Sequence, residues 1–217
     1  MSDLIADLDR NNPGWRLDDV LARRQPIPDD QNSVTILLAA HKLIPKTWFP
    51  KVEDQLDFPP PVLLPPRVAA KLAAELKLVA EALAKARKLA KYPRGRFSVS
   101  YTPDFITTFG SLDILKARAV ARLLQLACRD RLQGADAKGA CTDCLALLNT
   151  ARSIGDEPMG LCQLVRIALD TITIWNLEQT LAQGEIPLTF LSEVQKSLAK
   201  KWQNHYFTTQ WLGNSAE

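Results

Sequence analysis

Apolar residues recur every three or four positions through most of the second half of this chain, and single glycines interrupt the rhythm at long intervals. Leu72, Leu76, Val79, Leu83, Ala86 and Ala90 share one stripe of a helix, while Lys71, Lys77, Glu81, Lys85 and Lys88 fall mostly elsewhere. The spacing predicts a long helix from Pro66 to about Lys91. Proline suits its first position because the missing N–H would have no partner there. Four further helices are expected over about 112–133, 136–154 and 157–183, and from Pro187 to at least Lys201. Gly134, Gly155 and Gly184 end the first three, where left-handed C-terminal caps are expected. Asp136 and Asp156 stand ready to cap the helices that follow. Connections this short make consecutive helices antiparallel neighbours, and the two-helix unit recurs after about 45 residues, a helical-repeat length.

The first 65 residues read differently. Leu4, Ile5 and Leu8 suggest a short amphipathic turn or two, and Asn11-Asn-Pro-Gly14 is a turn signal. A short helix is expected from Leu17 to about Arg24, ended by Pro26 and Pro28. Asn32 or Ser33 can cap another reaching about Leu43, with Ile36, Leu37 and Ala40 on one face. Phe58-Pro-Pro-Pro61 and Pro65-Pro66 predict an extended connector. Arg96 to Thr102 alternates polar and apolar residues, so it is expected to be extended or a short strand. The fold class is therefore all-α: stacked antiparallel helical hairpins in residues 66–217, behind an irregular, Pro-rich, short-helix region in residues 1–65.

Two resemblances follow from particular residues. The stretch Leu115 to Ala182 carries Leu132-Gln-Gly134, small residues at Gly139, Ala140 and Ala146, and Ala151-Arg-Ser-Ile-Gly155-Asp-Glu. It resembles the tetratricopeptide class of helical hairpins, which implies a superhelix. Asn12-Pro-Gly-Trp-Arg-Leu17, Pro28-Asp-Asp-Gln-Asn-Ser33, Pro93-Arg-Gly-Arg-Phe97 and Ser153-Ile-Gly-Asp-Glu-Pro158 resemble segments of an uncharacterised family of helical proteins from planctomycete bacteria. That resemblance implies no activity. Members of that family often carry an N-terminal transmembrane anchor.

Composition narrows the field. A hydrophobic fraction of 47% and a charged fraction of 24% are ordinary globular usage. A net charge of +3 falls short of a dedicated nucleic-acid binder. Four cysteines are too few for a disulfide scaffold. The acidic N-terminal residues lack a signal-peptide apolar core. The longest apolar stretch, Leu161 to Leu177, is interrupted by Gln163, Arg166 and Asp170. No membrane span and a cytoplasmic location are expected, or an extracytoplasmic one if an anchor lies upstream.

Several groups of residues are candidates for chemistry. Cys141-Thr-Asp-Cys144 has zinc-knuckle spacing, and Cys128 and Cys162 could complete four thiolates. All four are expected inside helices, where free cysteine acts as a small apolar residue, so no metal is expected. His41 and His205 have no clustered partner, and His41, near a helix end, suits the dipole as a cation. The carboxylate pairs Asp18-Asp19, Asp29-Asp30 and Asp156-Glu157 are expected at helix starts for the same reason. Lys85, Arg87, Lys88, Lys91, Arg94 and Arg96 concentrate positive charge, which reads as a solvated helix end rather than a nucleic-acid face. Trp202, Tyr206, Phe207 and Trp211 approximate one helical face that would cap the last hairpin.

The leading surface candidate is a polar stripe: Arg118, Arg122, Gln125 and Arg129 on one helix, and Gln163, Arg166 and Asp170 on another. In stacked hairpins such first helices line the ligand groove, where arginines could clamp a carboxylate or peptide terminus. The expected function is a non-enzymatic scaffold that binds a protein or peptide, with no cofactor. The alternatives are an enzyme whose groups lie around residues 92–104, which leaves no motif, and the soluble domain of a membrane-tethered protein.

Overall fold

The computed structural model of the chain describes residues 2–48, 50, 58–99, 101 and 113–203, and every described element is helical. Helices α1 (Ser2–Asn11), α2 (Leu17–Ala22) and α3 (Ser33–Lys42) lie before the proline-rich connector. After it come α4 (Pro66–Lys77), α5 (Ala80–Ala86) and a 3₁₀ segment (Arg87–Lys91). The second half holds α6 (Leu115–Gln133), α7 (Ala137–Arg152), α8 (Gly160–Gln183) and α9 (Leu188–Gln203).

The helix expected over 66–91 is broken in two places. At Leu78 and Val79 the last turn of α4 tightens, with the amides of both residues bonded three positions back to Glu75 and Leu76. The break leaves Leu78 in solvent and turns Val79 into the core. A continuous helix is given up because α5 packs on α3 and α6, whereas α4 packs mainly on α6. Downstream, the Asn149 side chain donates to the carbonyls of Leu89 and Ala90 at 2.9 and 3.1 Å. These outside donors satisfy carbonyls that would otherwise be orphaned at a helix end.

Helices α6 and α7 form an antiparallel pair: Arg131 donates to the Gly139 carbonyl, and Cys128 lies beside Cys144. Helices α7 and α8 are likewise antiparallel, with Cys144 against Thr180 and Ala137 against Gly184. Helices α6 and α8 therefore run parallel, joined at Cys128–Thr180 and Arg129–Gln179. One core cluster spans α3 to α8 and includes Leu37, Leu72, Leu89, Leu124, Leu147 and Leu169. A smaller one joins α6, α7, α8 and α9 through Leu132, Ala140, Leu177, Phe190 and Val194. Val34, Leu37, Ala40 and Leu64 share the larger cluster, so burial is continuous across the boundary drawn at residue 65.

Only one of the three expected glycine caps is left-handed. Gly155 has φ +68°, but Gly134 has φ −87° and Gly184 is extended at φ −148°. At the end of α6 the left-handed residue is Ala135, at φ +55°. The amides of Ala135 and Asp136 bond to the carbonyls of Leu132 and Arg131, closing a Schellman motif. Asp136 also caps α7 by accepting from the Gly139 amide at 2.8 Å. The shared turn is one residue tighter than a glycine-capped end would make it. Asn32 caps α3, as its position predicts, but α8 begins at Gly160, later than expected, so its N-cap position falls on Met159, which has no side-chain cap, and Asp156 lies outside the cap, bonded to Arg96.

The stretch 96–99 is extended without a strand partner. Instead, the Asn32 side chain brackets Arg96, accepting from its amide and donating to its carbonyl, both at 3.1 Å. A Cβ on Gly95 would meet Ser33 Oγ at 2.0 Å and Ser153 Cα at 3.0 Å, and one on Gly155 would meet the Gly95 carbonyl at 2.8 Å. Replacing Gly95 or Gly155 by alanine is expected to cost about 1–3 kcal/mol each. Gly160→Ala, whose Cβ meets nothing, should leave stability unchanged or raise it slightly. Urea denaturation midpoints of the three variants check this.

Candidate functional site

The seven polar residues expected to line one groove fall into two sets. On α6, Arg118 is exposed, Arg122 donates to Gln125 at 2.6 Å, and Arg129 is buried. Arg129 Nε donates to Gln179 at 2.9 Å, and its guanidinium stacks over Trp175 at 4.5 Å from the ring centroid. On α8, Gln163 donates to the Glu157 carbonyl at 2.6 Å and Arg166 to the Gly155 carbonyl at 3.1 Å, while Asp170 and Arg166 both act on Arg152. Helical geometry puts Trp175 and Gln179 on one side of α8 and Gln163, Arg166 and Asp170 on another. Of the first set Arg129 braces α6 against α8; of the second, Gln163 and Arg166 brace α8 against the turn at 153–157.

That turn is the centre of a charged cluster. The Asp156 carboxylate takes a bidentate pair from Arg96, at 2.8 and 3.0 Å, and lies 3.3 Å from Arg24. The Glu157 side chain is fully buried, bonded to Arg24 at 2.9 Å and to the Tyr101 hydroxyl, which donates to it. Burial, then the adjacent carboxylate, holds the Tyr101 phenol well above its ordinary pKa. Arg24 also donates to the Asp156 carbonyl at 2.7 Å, and Arg96 to the Gln25 carbonyl at 3.0 Å. Asp156 and Glu157 are thus not helix-dipole residues, as their position suggested. They are the anchor for chain segments 56 to 133 residues away. Three segments distant in the chain, around residues 28–33, 93–97 and 153–158, meet at this point.

The other candidates disperse. Arg87 binds the buried Asp143 at 2.8 Å, with Arg131 3.4 Å away, and Arg96 is consumed by Asp156. The basic segment therefore keeps only Lys85, Lys88, Lys91 and Arg94 outside ion pairs with these carboxylates. Burial raises the Asp143 carboxyl pKa, and Arg87 and then Arg131 pull it back. Burial and then Lys116 push the His41 pKa down, against the cationic form that its place near a helix end suits. Within the 92–104 stretch, Arg96 and Tyr101 are committed to Asp156 and Glu157. Residues 100 and 102–104 lie outside the described residues, as do His205, Tyr206, Phe207 and Trp211.

Cys128 and Cys144 face each other at 3.8 Å with Thr180 beside both, and Cys141 belongs to the same small cluster. Cys162 lies in the other core cluster. Among the described residues no group of three or more His, Cys, Asp or Glu side chains could hold a metal ion. The cysteines pack helices. Burial raises the Cys141 and Cys162 thiols to about 11, and Cys144 rises well above its usual value through Cys128 and burial.

One surface feature escaped the periodicity reading. Leu164, Ile167, Ile174 and Leu181 stand 63%, 55%, 48% and 51% exposed along α8. They lie opposite Cys162, Val165, Leu169 and Thr173, which face the core. Helix α8 is therefore apolar on both faces, a pattern normally found in helices covered all round. The signal was present in the apolar stretch from Leu161, where the inner and outer positions could not be told apart. No described helix is long and apolar enough to cross a membrane.

No known protein family, curated protein or solved structure matches this chain.

Helix α2 buries no side chain, so the N-terminal arm is held by Arg24 rather than by apolar contact. Arg24→Ala removes one partner of a buried pair and should cost about 3–5 kcal/mol. It should also open the arm to trypsin at Arg16 and Arg23, followed on a gel. Asp9→Ala, which breaks the exposed pair with Arg16 and keeps both cleavage sites, should change neither. The thiols make a second test. At pH 8 the native protein should react with a thiol reagent such as DTNB only slowly, and all four cysteines should titrate at once in denaturant.

Proposed function

We propose that the chain is a non-enzymatic helical scaffold, with stacked hairpins of the tetratricopeptide-like kind, that binds another polypeptide along α8. The observation that supports this reading is the outer face of α8. Its four large aliphatic side chains form one stripe, and each is about half exposed or more. Isolated exposed leucines such as Leu78 are ordinary and need no explanation. A row of exposed apolar side chains on one helix marks an interaction surface, and a helix laid along another by positions i, i+3 and i+7 is a common way to cover one. The buried Arg129 of α6 supports the same reading from the other side. It is spent on holding α6 to α8, so the rigid platform is the helix pair and recognition falls to its apolar edge.

The paired substitution Ile167→Asp/Ile174→Asp tests the proposal. If the face is a docking surface, each change costs about 0.5 kcal/mol or less in the isolated chain. The thermal midpoint, read by circular dichroism at dilution, then moves by about 2 °C or less per substitution. A photo-crosslinking side chain at position 174 should give one discrete polypeptide adduct in cells that express the protein, whereas one at the exposed Lys138 should give none. A fall in the midpoint of about 10 °C or more would mean that the chain covers this face itself, and would end the proposal.

A further inference from the structure

The outer face of α8 has a spacing and a charge pattern that select among occupants. Leu164, Ile167, Thr171, Ile174, Glu178 and Leu181 are separated by 3, 4, 3, 4 and 3 residues, the a and d positions of a coiled-coil seam. Leu164, Ile167, Thr171, Ile174, Glu178 and Leu181 are all exposed. The seam is roughly 26 Å long at the rise of an α-helix. From this we infer that its occupant is a second copy of this chain, with the two α8 helices packed antiparallel about a two-fold axis between Thr171 and Ile174. This inference rests on the reading of α8 as a docking face.

Self-complementarity carries the argument. About that axis, Leu164 meets Leu181 of the second copy, Ile167 meets Glu178, and Thr171 meets Ile174. Every a position then opposes a d position, as antiparallel pairing requires, and the same patch serves both copies. The parallel alternative sets Glu178 against Glu178 and Thr171 against Thr171 in the middle of the seam, where like charges repel.

The antiparallel arrangement also supplies a partner for Glu178. Helices α6 and α8 run parallel with Cys128 beside Thr180 and Arg129 beside Gln179. Eleven residues before the Arg129–Gln179 contact on both helices, this register sets Arg118 alongside Ala168, next to Ile167. Arg118 and Glu178 are both exposed. Where Ile167 of one copy lies over Glu178 of the other, Arg118 stands within reach of that carboxylate, once on each side of the axis. The flanks of the seam at Ala168 and Ala182 are small, which lets two helices approach closely.

The seam is about one helix wide, roughly 10 Å, so the buried area is below that of a standard stable interface of about 800 Å² per partner. Self-association is therefore reversible and set by concentration. Sedimentation velocity of the full chain from about 1 to 200 µM should show the mass rising from 24.1 kDa toward twice that value, with half-association in the micromolar range expected of weak interfaces. Ile167→Asp should hold the chain at one copy throughout. Arg118→Glu and Glu178→Arg should each weaken association by about tenfold, and the two together should restore it, because the pair is reversed rather than removed.

A single-copy mass at every concentration overturns the inference. So does an assembly that Ile167→Asp leaves intact, or one that the reversed pair fails to restore. If the chain stays single while Ile167→Asp/Ile174→Asp is harmless to folding, α8 docks some other polypeptide and only the second copy is ruled out. If that variant unfolds, the docking reading itself falls.

Discussion

The rest of the structure depends on one constraint: α7 is enclosed by α6, α8 and the 3₁₀ segment at once. Close approach on three sides requires small side chains, and α7 supplies Ala140, Cys141, Cys144, Ala146 and Ala151, all buried. A helix enclosed this way can carry polar groups only where each finds a partner. Asp143 is met by Arg87 and Arg131. Asn149 gives both its amide hydrogens to Leu89 and Ala90. Thr150 and Ser153 return their hydroxyls to carbonyls of Ala146 and Thr150. These polar contacts also fix which neighbour lies on which side, since a helix slipped by one turn would strand Asp143 and Asn149 away from water.

From this arrangement the charged cluster at 153–157 follows. The turn leaving α7 must place Gly155 against Gly95, and the close approach of the two backbones leaves no room for a Cβ. Asp156 and Glu157 are then held at a fixed point beside the 94–96 strand-like segment, where Arg96 and Arg24 reach them. Burying Glu157 is costly for an isolated carboxylate, and Arg24 and Tyr101 offset that cost only while both are in place. The N-terminal arm is thereby coupled to the α7–α8 turn by electrostatics rather than by apolar burial. This matches its composition, since α2 offers the core nothing.

The sequence made the helices of the second half legible because apolar periodicity, short connections and capping residues all agreed there. Asp136 and Asn32 were readable as caps for the same reason: their partners are two or three residues away. What could not be read depends on residues distant in the chain. Asp156 looks like a helix cap until Arg96, 60 residues earlier, takes it. Arg129 looks like a groove residue until Gln179 and Trp175 enclose it. The break at Leu78–Val79 had no local signal, because the periodicity runs through it unbroken. The residues of the polar stripe divide between two sides of the helices for a related reason. Regular polar spacing on a helix marks a side, but whether that side meets solvent or another helix is decided by the neighbour.

The same limit explains why the outer face of α8 went unread. Hydrophobic spacing separates an apolar face from a polar one; it cannot separate two apolar faces on one helix. Only exposure distinguishes Leu164 and Ile167 from Cys162 and Val165. Helix α9 does not remove the difficulty, because Phe190 and Val194 join α8 through Leu177, on the flank rather than the outer stripe. A stripe left bare by the last described helix, while polar residues on the same helix are spent inward on Gly155 and Glu157, reverses the usual arrangement of a surface helix. That reversal leaves apolar surface in water, which the hydrophobic effect opposes, and it is the physical ground on which the docking proposal stands.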